Sequence, residues 1–312
     1  MIISASYKTD IPAFYGKWLL NRLDAGYCMV INPYNKQAQR VSLRHEDVDG
    51  FVFWTKNLTP FIHNLQTIKE QGYAFIVQYS INNYPRTLEI SVVNAEQSIN
   101  HMRVLSDTYG QRALVWRYDP IVFTSITPFD FHISSFKELA KNLEGTTDEV
   151  VVSFAQIYKK TQRNMNWASE TFGFTWSDPP DEVKIRLVLE LNRIAKSHKM
   201  QLSICSQKQY LIDGIVPARC IDARRLSEVS GKLTNVKVKG NRPDCECYLA
   251  KDIGDYDTCP HGCVYCYAVN SRALAQKLFR EHNPQGEFLH TPQDFVTSNT
   301  DTNDDTQQMK LL

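Results

Sequence analysis

The chain has 312 residues, 43% of them hydrophobic and 22% charged, with a formal net charge of +1. This composition supports a large buried core and excludes a chain kept unfolded by its charge, while the near-neutral balance excludes a dominant electrostatic partner. No apolar run reaches the roughly 18 residues of a membrane-spanning helix. The opening MIISASYKTD has no charged leader ahead of a long apolar segment, so the expected location is cytoplasmic, with no membrane partner.

In chain order, short apolar, β-branched or aromatic runs alternate with stretches of helical period. The runs are IISAS (2–6), FVFWT (51–55), AFIVQYS (74–80), ALVWRY (113–118), VVVSFA (150–155) and LSIC (202–205). Helix candidates occupy 11–25, 58–71, 91–109, 129–143 and 181–199, the third opening at Ser91 and the fourth behind Pro128. Within the first connection, 28–44 holds two strand-like runs around an Asn-Pro-Tyr-Asn turn, the pattern of a β-hairpin. After Tyr158, KKTQRNMNWASETFGFTWSDPP has aromatics but no steady period and is expected to be a lid loop over the site.

The alternation predicts an α/β fold with a parallel sheet and outer helices. Six units predict a partial six-stranded parallel (β/α) barrel over 1–205, followed by a Cys-rich metal-binding segment over 206–285 and a polar, disordered tail over 290–312. In such barrels the residues closing each strand gather at the C-terminal face. Lys8, Asp10, Arg117, Asp119 and Tyr158 are the catalytic candidates there, and Thr55, Lys56 and Gln78 the cofactor-side ones. Arg117 and Asp119, two apart, share one face of an extended chain and form either a substrate clamp or a structural ion pair.

Seven of the eight cysteines fall between 205 and 266, which in a reducing compartment favours metal binding over disulfides. Cys259, Cys263 and Cys266 form a Cys-x-x-x-Cys-x-x-Cys run in TCPHGCVYCYA, with Gly262 at the turn and Tyr265 before the last thiol. Three local thiolates suit an iron–sulfur cluster with either a distant fourth ligand or one open iron; His261 is a further ligand candidate. Cys205, Cys220, Cys245 and Cys247 make four, the number for a closed zinc site or a fully ligated cubane. They also read as buried thiols or as the source of one fourth ligand. Cys28, in the hairpin, is expected in the core.

The motif TCPHGCVYCYA resembles the cluster loop of spore-photoproduct-lyase-like radical S-adenosylmethionine (SAM) enzymes. SASYKTDIPAFY (4–15), FWTKN (53–57), WRYDPI (116–121) and FAQIYKKT (154–161) extend the likeness to a bacterial domain-of-unknown-function family with a radical-SAM-like cysteine cluster at its C-terminus. The resemblance implies a barrel of radical SAM type. It implies a 4Fe–4S cluster on Cys259, Cys263 and Cys266, with SAM chelated at the open iron and cleaved to a 5′-deoxyadenosyl radical. Thr55 and Lys56 then belong to SAM binding, with Gln78 and Tyr265 beside them, and a second iron–sulfur cluster or zinc falls to the other four cysteines. A reducing electron donor is required; the substrate is open. The alternative is a non-catalytic metal-binding module, zinc or closed Fe–S. Arg219, Arg224, Arg225, Lys232, Lys237, Lys239 and Arg242 form a basic run that reads as a nucleic-acid contact or as a solvated face.

Overall fold

The computed structural model describes residues 1–291 except Pro33, Tyr34, Lys36, Asp213 and Asn241. The tail expected over 290–312 therefore lies, from residue 292 onward, outside the described residues, as does part of the hairpin turn. In chain order the elements are β1 (Ile2–Ala5), α1 (Ile11–Phe14), α2 (Gly16–Ala25), β2 (Tyr27–Ile31), β3 (Ala38–Ser42), β4 (Gly50–Thr55), α3 (Asn64–Glu70), β5 (Phe75–Ser80) and α4 (Ala95–Tyr109). There follow β6 (Leu114–Ile121), β7 (Phe123–Thr124), α5 (Phe129–Leu143), β8 (Glu149–Phe154), α6 (Lys159–Phe172), β9 (Trp176–Ser177), α7 (Asp181–Ser197), β10 (Gln201–Ile204), β11 (Val216–Pro217), α8 (Ala223–Ser230), β12 (Ala250–Asp252) and α9 (Arg272–Glu281).

The fold is α/β, built on one eight-stranded sheet in the order β11-β10-β8-β6-β5-β4-β1-β12, with every neighbouring pair parallel. The six predicted strands form its centre in sequence order, each added beside the one before. That is a barrel-like winding, because right-handed crossovers that all progress in one direction put their helices on one face. Two further strands flank the six: β11 on the β10 edge, and β12 returning from far along the chain to the β1 edge. Among the described residues β11 and β12 do not pair, so the sheet is open. Six strands are thus corrected to eight, and both additions come from the segment expected to carry the cysteines.

Alternation along the strands sorts two faces. Phe51, Phe53, Phe75, Val77, Trp116, Tyr118, Val150, Val152 and Ile204 point to the helix side and form the main core with α1–α5 and α7. The rings interlock there, Trp116 stacking on Phe136 of α5 at 4.8 Å and Phe51 on Phe53 at 5.6 Å. The other face starts apolar with Ile2, Val52, Ile76, Val115 and Val151, which meet Leu226 of α8 and Cys205, Cys220 and Cys247. The hairpin pairs Cys28 with Val41 antiparallel; Cys28 is buried, as expected, and burial pushes its thiol up to about 12.

Two expectations about helices are corrected. The third helix opens not at Ser91 but behind Asn94, whose side chain accepts from Gln97 N at 2.8 Å. Ser91 is held out of the helix because its N–H donates to His261 O at 2.9 Å. The expected lid loop is largely α6, which buries Thr161, Met165 and Ala168. A spacing of four then three is helical, but one Thr and one Ala in that stripe hide it from an apolar count. Met165 and Ala168 pack on Val264 and Tyr265, so α6 covers the cysteine loop as a packed helix.

Candidate metal centre

The return of the chain to β1 is fixed by Asp252, the last residue of β12. Its carboxylate accepts from Ser4 Oγ at 2.7 Å, Ser6 Oγ at 2.8 Å, Tyr7 N at 3.1 Å and Gly254 N at 3.1 Å. Lys8 Nζ lies 3.4 Å from it and donates to Gly254 O at 3.3 Å. Gly254 is required by this approach, since a Cβ there would stand 2.1 Å from Ser6 Oγ. Burial raises the Asp252 carboxyl above its usual value, against the Lys8 charge and these donors. Lys8 is thus a partner of the strand that delivers the cysteines.

From β12 the chain runs directly into the three-cysteine loop, which sits where β1, β4 and β5 end. Asp10 organises the contact. One oxygen caps α1 through Ala13 N at 2.9 Å; the other accepts from Lys56 N at 2.7 Å and from His261 Nε2 at 2.8 Å. Nε2 therefore carries the hydrogen, and Nδ1 of the buried His261 has no hydrogen-bond partner among the described residues. Gly262 adopts a left-handed φ of +76°, the turn expected from its position. Tyr15 Oη donates to Thr258 O at 2.6 Å and holds the start of the loop.

The three thiols are close enough that Cys263 and Cys266 feel one another's charge and both couple to Cys259. Desolvation raises all three, Cys259 to about 12. Backbone donors work against it: His261 N and Asp10 N at Cys259, Ala268 N at 3.3 Å and Val269 N at Cys266. Two cations bear on the thiols, Lys160 at Cys266 and Lys56 at both Cys263 and Cys266; Lys56 is the one tied into the strand ends. Its ammonium donates to Asn82 Oδ1 and Glu89 Oε1, both at 2.7 Å. Burial works against its charge, but Glu89 and Cys263 outweigh that and hold its pKa above the usual lysine value. Tyr265 also donates to Glu89, and Glu89 bridges to Cys263 as an isolated antiparallel pair.

Cys205, Cys220, Cys245 and Cys247 lie on the helix-poor face. Cys205 and Cys220 lie with Sγ atoms 3.4 Å apart, and Cys247 is near enough to Cys220 and Cys245 for their thiols to influence its own. Arg117 donates to Cys220 Sγ at 3.0 Å and to Gln78 Oε1 at 3.1 Å, and pairs with Asp119, which also accepts from Ser153. Gln78 Nε2 donates to Cys220 O at 2.9 Å. Arg117 and Gln78 thus belong to this second set rather than to the three-cysteine loop. Thr55 points to the helix side, its hydroxyl accepting from Asn57 N at 2.9 Å. Tyr158 is exposed, just ahead of α6, and donates to Gln156. Among the described residues no three His, Cys, Asp or Glu side chains meet closely enough to hold a single metal ion.

A family model described as Domain of unknown function (DUF1848) matches residues 2–268, from β1 through the last cysteine of the loop. The chain belongs to this family. Comparison with curated proteins and with solved structures gave no match. The DUF1848 match includes β12, Asp252 and the loop they deliver, and stops just short of α9. Three residues of the site went unnoticed in the sequence. Glu89 and Asn82 sit in an aperiodic stretch with no motif, so nothing marked them. Asp252 had a signal, standing in AKDIGDYDTC immediately ahead of the cysteines. The basic run is not a single exposed face: Arg225 is buried against Asp148 and Glu149 at 3.0 and 2.8 Å, Arg242 donates to Cys205 Sγ at 3.1 Å, and Arg219 pairs with Glu246 at 3.1 Å. No helix among the described residues is long and apolar enough to cross a membrane.

Proposed function

We propose that this protein is a radical SAM enzyme whose cluster loop is supplied by the C-terminal end of the chain. The observation that carries the reading is the position of Cys259, Cys263 and Cys266 at the C-terminal ends of β1, β4 and β5, with Lys56 beside Cys263. The donor set fits an iron–sulfur cluster. Its three sulfurs are desolvated, and those of Cys259 and Cys266 receive backbone N–H bonds, an arrangement that stabilises thiolates once metal replaces their protons. A single tetrahedral zinc would need sulfurs about 3.8 Å apart from its bond length of roughly 2.3 Å, which a cluster does not demand. When bound, a 4Fe–4S cluster and SAM supply reductive cleavage to a 5′-deoxyadenosyl radical, using an external electron donor.

The chain's own contribution is positioning and shielding. Lys56 presents a half-buried positive charge suited to a carboxylate, and Glu89 and Asn82 fix its ammonium by accepting from it. Tyr265, Tyr84, Met165 and Ala168 wall the loop from water. Asp10 ties the loop to β4 through His261 and Lys56 N. Lys8 is bound to Asp252, Asp119 to Arg117 and Ser153, and Tyr158 to Gln156, so the role beside the loop falls to Lys56.

A non-catalytic metal-binding module is favoured by one observation. The cavity beside Glu89, lined by Asn82, Tyr84, Arg86 and Ser98, is about 110 Å³, below the roughly 300 Å³ at which small-molecule pockets begin. Anaerobic reconstitution with iron and sulfide, reduction, and assay of 5′-deoxyadenosine separate the two. A fully loaded, reduced protein that forms none leaves the module.

A further inference from the structure

Four cysteines from three stretches of chain lie on the helix-poor face of the sheet, not drawn together around one point, and two guanidinium groups point at the sulfurs of Cys220 and Cys205. Cys205 closes β10, Cys220 follows β11, and Cys245 and Cys247 precede β12. Cys205 and Cys220 touch through their sulfurs at 3.4 Å, and Cys247 lies near enough to Cys220 and Cys245 to feel both thiols. At 3.4 Å the first pair is in contact but not bonded, a disulfide being about 2.05 Å. Around them stand Arg117 at 3.0 Å from Cys220, Arg242 at 3.1 Å from Cys205, and Ile221 N at 3.4 Å from Cys247.

Donors of this kind are misplaced around neutral thiols. A guanidinium can only donate and cannot lose its charge, and burying it is costly unless an anion compensates. Arg117 finds part of that in Asp119. Arg242 is exposed, so the burial argument falls on Arg117; Arg242 adds a second donor, aimed at Cys205. A neutral thiol is a weak acceptor, whereas a metal-bound thiolate is a strong one. Zinc with four thiolates and a 4Fe–4S core with four thiolates are both dianions, matched in sign by two arginines.

We propose that Cys205, Cys220, Cys245 and Cys247 hold a second metal centre, a tetrathiolate site for zinc or a 4Fe–4S cluster, with Arg117 and Arg242 as its outer hydrogen-bond partners. The site does not depend on the SAM reading of the other three cysteines. On loading, each thiol gives up its proton and the sulfurs draw in from their present positions around the metal.

The test uses the full chain with Cys259, Cys263 and Cys266 all changed to Ala, purified anaerobically and offered zinc, or iron with sulfide, in separate arms. About one zinc without sulfide, or about four irons with matching sulfide, is expected per chain, and the two arms tell which. Adding Cys220→Ser and Cys247→Ser should remove it. Arg242→Gln should weaken retention against a chelator by about tenfold or more, the usual cost of losing an outer-shell partner. Should the triple variant fail to fold, the unaltered chain is compared with the Cys220→Ser, Cys247→Ser chain: a loss of about four irons or about one zinc is expected. A folded triple variant that binds neither metal, an unaltered chain that holds no more metal than the Cys220→Ser, Cys247→Ser chain, or a Cys205–Cys220 disulfide in anaerobic protein overturns the proposal.

Discussion

On its helix side the central sheet presents Phe51, Phe53, Phe75, Trp116 and Tyr118 to a close-packed core. On the opposite side the same strands present Ser4, Trp54, Gln78, Arg117 and Ser153 toward their C-terminal ends, bound to one another and to cysteines. Successive residues of one strand therefore serve different ends. Trp116 fills volume, and its neighbour Arg117 holds a charge against sulfur. The helix side is stabilised by non-directional burial that tolerates approximate fits. The other side depends on donors and acceptors matched one to one, where a single unmatched group is costly. Substitutions on the two sides should accordingly fail in different assays.

The largest effect is expected at the loop. Cys263→Ala should bring reductive SAM cleavage down to background in a 5′-deoxyadenosine assay while leaving the far-ultraviolet circular dichroism unchanged; residual cleavage at wild-type rate would separate the loop from the chemistry. Trp116→Ala should do the reverse, costing about 3–5 kcal/mol in denaturant unfolding through the cavity it leaves beside Phe136, with the metal content per folded chain retained.

The Lys56–Glu89 pair joins the two behaviours. Lys56→Ala leaves the buried Glu89 without its cation and should cost about 3 kcal/mol. Lys56→Met combined with Glu89→Gln should recover most of the stability but none of the SAM cleavage. If the single and double variants unfold alike, the pair is energetically idle.

The smallest effect concerns pH and the helix side alone. His132 is fully buried, with Nε2 donating to Val122 O at 3.2 Å and Nδ1 accepting from Tyr118 Oη at 3.0 Å. Burial lowers its pKa from 6.5 to about 4. Because the folded value lies below the unfolded one, the unfolded chain takes up more protons, and stability falls as pH drops from 6.5 toward 4. At pH 5 the loss is of order 2 kcal/mol. His132→Gln should flatten that part of the unfolding profile; an unchanged slope would assign it to other groups.

Much of this architecture is legible in the chain because the helix side is written in large apolar residues at period two. The six central strands, the hairpin and helices α5 and α7 could be read from it. What could not be read is what tertiary pairing alone supports. β11 and β12, Val216–Pro217 and Ala250–Asp252, are too short to show a period. Their place is set by parallel registers such as Ile2 with Ala250. The cysteines marked themselves by chemistry, yet their division into two sets and the allegiance of Arg117 and Gln78 depended on which face each strand residue takes. Glu89 is the sharpest case. Its importance lies wholly in Lys56 and Tyr265, 33 positions upstream and 176 downstream.

The pairing of β12 with β1 joins stretches of chain that lie 248 residues apart at Ser4 and Asp252. A ribosome releases β1 long before its outer neighbour exists, so the growing chain carries that edge of the sheet unpaired, with Ser4 and Ser6 still lacking the carboxylate that binds them. Closing so long a loop is entropically costly and slow. It also sets an order of events. The strands and their helices can assemble first, Asp252 then docks on β1, and only after that do the three thiols reach the strand ends. Any metal delivered to the loop is thereby placed on a nearly finished protein, and truncation anywhere before residue 252 leaves a sheet with no means of seating it.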